Sequence, residues 1–277
     1  MTTIMSSAAN AENGSHTVAG AEGVTIKYTV TGASKIGLLF VHGWMCDRSY
    51  WREQVAAFSE DYRVVTVDLG GHGESGNNRD NWSMASFGKD VAAVANALDV
   101  DHLVLIGHSL GGPAVLDAAS RIGDRLSGIV GVDTLRTPMA EPMSAEDAAV
   151  AFAVSPEEFP GRTEAFVRKS FFIDESPPEM IDEIAKDMAS GNPTVAAGAG
   201  ASYVTFNIRE ALSVLQDTPL TLINATTPPT DEIALKTVYP NSTLIEIPDA
   251  GHFVMLEKPT DFNSALNKSL QQLLETK

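Results

Sequence analysis

Among the residues of this chain that can do covalent chemistry, the most suggestive is Ser109. It stands in Leu105-Ile106-Gly107-His108-Ser109-Leu110-Gly111-Gly112, where an apolar run stops at a serine with glycine two places before and two after. This G-x-S-x-G spacing suits a very sharp strand-to-helix turn that holds the serine in strained backbone geometry, its oxygen pushed clear of the sheet. Side chains two places either way would collide with neighbouring backbone, and glycine avoids that. The helix beginning near Leu110 turns free N–H groups toward the same spot, a setting that favours negative charge. Nucleophilic attack through Ser109 is the expected chemistry.

A serine hydroxyl is a poor nucleophile at neutral pH and needs a base. The chain has six histidines. His16 lies in the N-terminal arm, His42 and His72 sit inside turn motifs, and His102 starts a strand at the wrong end of the sheet. His108 adjoins the serine but is expected to point elsewhere on a tight turn. His252 remains, in Pro248-Asp249-Ala250-Gly251-His252-Phe253, after the last strand and before a helix. It is the expected base, and acidification that protonates it should silence the reaction.

These residues need a scaffold that gathers them. Residues 23–31 alternate apolar and polar, the mark of a half-buried antiparallel strand. Short apolar runs at 38–41, 63–67, 103–106, 128–132, 220–223 and 242–247 suit strands buried on both faces. Helical patterns fall between them at 50–59, 82–98, 111–122 and 261–275. Strands alternating with helices predict an α/β fold: a mostly parallel, twisted sheet with helices on both faces. In such sheets chemistry gathers at the carboxyl ends of the strands, and His42, Asp68, Ser109 and Asp133 all stand just past one. Residues 135–212 break the rhythm with many aromatic and methionine residues and no strand pattern. A helical cap over the active edge is expected there.

The chain resembles the α/β-hydrolase fold superfamily, in particular small capped serine esterases. The resemblance runs from about Gly23 to Leu274 and is carried by "FVHGW" (40–44), "VDLGGHGES" (67–75), "GHSLGG" (107–112) and "DAGHFVMLEKP" (249–259). It implies a core of residues 21–134 and 213–277, with the cap inserted after the sixth strand in the family's count. It also implies an oxyanion hole made by the main-chain N–H groups of Trp44 and Leu110. Trp44 is at the same time a candidate pocket wall. Asp68, Gly71, His72, Gly73 and Ser75 match a structural turn of the family. The implied activity is hydrolysis of a carboxylic ester through an acyl-enzyme; the phenylalanines and methionines of residues 135–212 favour an apolar acyl or alcohol group, and the lack of an exposed apolar helix favours a small ester. Thioesterase, lactonase, peracid-forming and carbon–carbon-bond hydrolase activities use the same parts. A serine at the elbow argues against an epoxide hydrolase or a dehalogenase.

The third group, which fixes the histidine's tautomer, departs from the pattern. Most relatives carry an acid just after the strand that is here 220–223. This chain has Asn224-Ala225-Thr226-Thr227-Pro228-Pro229, with Asp231 and Glu232 several residues late. Asp133, at the end of the preceding strand, is the leading candidate. Asp231, Glu232 and a dyad without an acid stay open, and so does a receptor that keeps the fold with little or no turnover.

Bulk properties narrow the partners. A formal charge of -17 would repel a phosphate backbone, so no nucleic acid is expected; a small-molecule ester is the expected partner. No run is long and apolar enough to span a membrane. The single cysteine, Cys46, allows no intrachain disulfide and reads as buried filler. Asp47 and Arg48 read as substrate contacts or as a cap for the helix after them. No histidine, cysteine and aspartate cluster has metal-ligand spacing, so no metal and no cofactor are expected. Residues 1–20 read as an N-terminal arm. Within it Ala9-Asn10-Ala11 fits a signal-peptidase site, so residues 1–11 are either a signal remnant, with a periplasmic or secreted destination, or a disordered arm on a cytoplasmic protein.

Overall fold

The computed structural model describes residues 13–215 and 217–275. Eight strands among them form one sheet. They are β1 (Gly14–Ala19), β2 (Thr25–Thr31), β3 (Ile36–Val41), β4 (Arg63–Val67), β5 (His102–His108), β6 (Leu126–Val132), β7 (Leu220–Ala225) and β8 (Thr243–Ile247). Their order is β1-β2-β4-β3-β5-β6-β7-β8. The pairs β1–β2 and β2–β4 are antiparallel and every other pair is parallel. In β2 the alternate residues Ile26, Tyr28 and Val30 are buried, as its period of two predicts. In central β5, by contrast, every residue from Leu103 to His108 is buried, because helices cover both faces.

The helices are α1 (Arg52–Phe58), α2 (Met84–Ala97), α3 (Gly111–Ala119), α4 (Ala145–Ala151), α5 (Phe159–Ser170), α6 (Pro178–Ala189), α7 (Pro193–Val204), α8 (Ile208–Ser213), α9 (Glu232–Val238), α10 (Val254–Glu257) and α11 (Pro259–Glu275). In the two helical layers α2 packs on α3, and α1 on α11. The first helical pattern is in fact a 3-10 turn, Arg48–Trp51, running into α1. Helices α4–α8 occupy the aromatic stretch between β6 and β7. Hydrogen bonds tie them to the core: Tyr50 Oη donates to Asp187 (2.6 Å), Trp44 Nε1 to the Ala196 carbonyl (2.8 Å), and the Met84 N–H to Ser202 Oγ (2.8 Å).

One expectation is corrected at the amino end. Residues 14–19 are not arm but strand β1, in register with β2 from Gly14 opposite Val30 to Ala19 opposite Thr25. Small and polar residues here hide the strand from pattern reading. What orders it is the free edge of β2, whose backbone groups need partners. The Ala9–Ala11 motif and the rest of the arm to residue 12 lie outside the described residues.

The turn from β5 into α3 explains the glycines around Ser109. A Cβ at Gly107 would sit 2.4 Å from the Gly111 carbonyl oxygen, and one at Gly111 would sit 2.6 Å from that of Val41. Both obstacles are backbone, so neither can swing aside. Ser109 takes φ 51°, left-handed for a residue with a side chain. Gly107→Ala should therefore cost about 1–3 kcal/mol of overpacking. Urea unfolding should show a lower midpoint at an unchanged slope; an unchanged midpoint would mean that the elbow has room to spare.

Candidate active site

Four strand ends deliver the candidate residues to one rim. Ser109 follows β5, Trp44 follows β3, Asp133 follows β6, and His252 follows β8. Ser109, Leu110, Trp44 and His252 line a single cavity of about 480 Å³. Its wall is otherwise mostly apolar, with Phe152, Phe159, Phe166 and Val204 coming from the segment between β6 and β7. Among the described residues, neither the Trp44 nor the Leu110 amide donates to a protein acceptor. Gly43 keeps this corner tight: a Cβ there would lie 2.9 Å from His108 Nδ1 and 3.1 Å from Ser109 Cβ. The next turn is made by Met45 at φ 54°.

Asp133 is a junction of three segments. Its Oδ2 accepts from His252 Nδ1 at 2.6 Å. Its Oδ1 accepts from the Ala225 N–H at 2.8 Å and from Arg136 Nη2. Burial acts to raise the pKa of this carboxyl. The His252 hydrogen bond and charge, then Arg136 and the Ala225 amide, outweigh it and hold the group below its ordinary value. Like Ser109, Asp133 sits in left-handed backbone, at φ 47°. With Nδ1 committed to Asp133, the other ring nitrogen of His252 is the one free for proton chemistry. The Ser109 hydroxyl is not hydrogen-bonded to the ring in this structure. Such contacts often tighten only when substrate is bound.

The competing Asp231 has other work. Asp231 caps α9, its Oδ1 accepting from the Ala234 N–H at 2.9 Å. Asn224, standing where most relatives have their acid, bonds the Thr134 N–H and carbonyl (3.1 Å each) and Thr230 Oγ1 (2.9 Å). It ties the ends of β6 and β7 together.

Other expectations meet their outcomes here. His42 accepts from the Leu69 N–H through Nε2 (3.0 Å), so its proton is on Nδ1, which reaches the Gly43 carbonyl at 2.8 Å. Burial holds its pKa down and keeps it neutral. His72 is similar: burial first, then the nearby His42, pushes it to about 3. Asp68 accepts from the Arg48 and Glu74 amides at 2.8 Å each and pairs with the Arg48 guanidinium, so its motif is a structural turn. Asp47 caps its own 3-10 turn, and Cys46 is buried. Trp44 is both loop and wall: its indole stands edge-on to Phe166, 6.4 Å between centroids.

Three residues escaped sequence reasoning. Arg136 is recognisable only afterwards, three residues beyond Asp133. Phe171 lays its ring 4.4 Å from that of His252, and nothing in the sequence marks it among neighbouring phenylalanines. His108 does not point away. Its ring is 4.6 Å from the His252 ring, and its Nε2 donates to the His252 carbonyl at 2.9 Å. Burial, then repulsion from His252, puts its pKa at about 3, so it stays a neutral donor.

A serine on a sharp strand-to-helix turn, lining one cavity with a histidine bound to a carboxylate, on a mostly parallel sheet, is an arrangement of the α/β-hydrolase kind. A family model for the alpha/beta hydrolase fold matches residues 38–259, and the chain belongs to that family. It is 25% identical over 258 residues to 3-oxoadipate enol-lactonase 2 of Acinetobacter baylyi, covering 91% of this chain and 95% of that protein. It is 36% identical to the non-heme chloroperoxidase of Streptomyces lividans over 107 residues, 38% of this chain and 39% of the other. Among solved structures, a thermophilic esterase from Thermogutta terrifontis superposes with a TM-score of 0.81 at 26% identity, covering 95% of this chain and 99% of that one. No helix among the described residues is long and apolar enough to cross a membrane.

The depressed pKa of Asp133 has a consequence for stability. A carboxylate held below its unfolded value of about 3.9 contributes stability that is complete above that pH and is lost as pH falls through the folded value. Asp133→Asn removes the titration, so the acid limb of its unfolding free energy against pH should be flatter than that of wild type. Parallel limbs in urea titrations would contradict the bonding described.

Proposed function

We propose that this protein hydrolyses small carboxylic esters through an acyl-enzyme, with Ser109 as nucleophile, His252 as base and Asp133 as the acid that orients it. The observation that carries the reading is the 2.6 Å hydrogen bond from His252 Nδ1 to Asp133, at the cavity that Ser109 also lines. Ser109 Oγ attacks the acyl carbonyl while His252 Nε2 takes the hydroxyl proton. The carbonyl oxygen becomes an oxyanion, held by the Trp44 and Leu110 N–H groups. Each such donor is worth roughly 3–4 kcal/mol at the transition state. The tetrahedral centre collapses, the ester C–O bond breaks, and His252 hands its proton to the leaving alcohol. Water, deprotonated by His252, then attacks the acyl-enzyme and releases the acid and Ser109. Residues 135–212 act as the cap, and their phenylalanines give the cavity an apolar acyl or alcohol site.

A lactone is a second substrate class for the same steps. It is favoured by the likeness to an enol-lactonase along nearly the whole chain. Arg162 adds to it. Among the described residues it is, apart from His252, the only basic side chain lining the cavity, and its side chain donates to the Ala153 carbonyl at 3.1 Å. A substrate with an apolar body and a distal carboxylate fits such a wall.

Two measurements check the reading. Across p-nitrophenyl acetate, butyrate and octanoate, wild type should turn over. Asp133→Asn should lose about 10³-fold or more in kcat while staying folded, and Asp231→Asn should keep wild-type kcat. A dead Asp231→Asn beside an active Asp133→Asn would reverse the assignment, and no turnover at all would favour a receptor. Separately, Arg162→Gln should raise KM for an ester with a terminal carboxylate about tenfold and leave that of its neutral counterpart unchanged. Equal effects on both would remove Arg162 from recognition.

A further inference from the structure

The loop that carries His252 is held by groups outside it, and one of them comes from the segment read as the cap. Three consecutive amides are engaged. The Gly251 N–H donates to Glu257 Oε2 at 3.0 Å, and the Phe253 N–H donates to Glu257 Oε1 at 3.2 Å. Between them the His252 N–H donates to the Phe171 carbonyl, just past α5, at 2.7 Å. The buried Ser176, between α5 and α6, closes the arrangement. Its hydroxyl donates to Glu257 Oε2 at 2.5 Å and accepts from the Ile173 N–H at 3.1 Å. A Cβ on Gly251 would lie 2.6 Å from the Phe171 oxygen and 3.0 Å from Phe172 Cα, so the two backbones lie flush.

The geometry points to Glu257 and Ser176 as positioning residues that lock the His252 loop to residues 171–176, so that the proton acceptor is in register only while this part of the cap is seated. The inference rests on His252 being the base. A carboxylate that bridges two amides flanking the histidine fixes the loop's backbone. The serine hydroxyl on the same oxygen ties that carboxylate to the α5–α6 connection. Loosening either end lets the ring drift relative to Ser109 without emptying the cavity. A misplacement near 1 Å is enough to cost about 10²-fold in rate. The Phe171 ring against the imidazole carries the same constraint to the side chain itself.

The test uses the full chain and p-nitrophenyl butyrate, with active sites counted from the pre-steady-state burst, so that a lost fraction of folded protein drops out of the rate. Ser176→Ala and Glu257→Gln should lower kcat per site by about 10- to 10²-fold and leave KM within about threefold. Ser176→Thr, which keeps the hydroxyl, should recover most of the loss. A merely structural role would lower the melting temperature and the count of active sites while leaving kcat per site within twofold of wild type in both variants, and that result overturns the proposal. Ser109→Ala serves as the control on the parent reading. If it retains wild-type turnover, the reading of the site fails and this inference with it; if it is dead and the two variants are normal, only this inference fails.

Discussion

The arrangement depends on one buried carboxylate being kept charged. Asp133 is nearly out of solvent, and an ionised group in that position is stable only when its lone pairs are filled. Three donors from three parts of the chain fill them: the His252 ring, the Ala225 amide and the Arg136 guanidinium. The same three contacts hold together the ends of β6 and β7 and the loop after β8. Removing any one would leave a lone pair of a buried carboxylate unfilled at the rim, so the electrostatics of the acid and the alignment of the histidine are one problem with one solution.

Around that centre the backbone is arranged for display rather than for ease. Ser109 and Asp133 both adopt left-handed conformations that side chains resist, and both stand at the carboxyl ends of neighbouring parallel strands. Strain of this kind persists only where surrounding packing over-determines it. Here the surroundings are β5, buried from Leu103 onward, the fully buried β6, and glycines at 107 and 111 whose missing side chains let α3 approach. The helices between β6 and β7 then contribute aromatic side chains to the cavity wall. The result is a mostly apolar chamber into which Ser109 and His252 open.

Much of this was legible in the sequence, for physical reasons. Strands buried on both faces must be continuous apolar runs, so β3 to β7 announced themselves, and the elbow did so because only glycine tolerates the approach at 107 and 111; β8, a half-buried edge strand, was found by its apolar residues rather than by full burial. Strand β1 did not, because an edge strand of serine, threonine and histidine takes its order from its neighbour's hydrogen bonds rather than from its own pattern. The acid was readable only as a choice among Asp133, Asp231, Glu232 and a dyad without an acid, since the contacts that favour Asp133, its bond to His252 and the α9 cap that occupies Asp231, are not encoded in spacing. His108, Arg136 and Phe171 touch His252 or Asp133, and Glu257 holds the amides on either side of His252, through contacts that spacing does not encode.

The central claim is that the imidazole of His252 activates the hydroxyl of Ser109, and covalent trapping reads it most directly. A fluorophosphonate reacts with an activated serine and leaves a mass tag that peptide mapping can locate. The account predicts a single adduct on Ser109 in the wild-type protein, formed at least about 10²-fold more slowly in His252→Ala. An adduct on another residue, or an equal rate with the histidine removed, would contradict it.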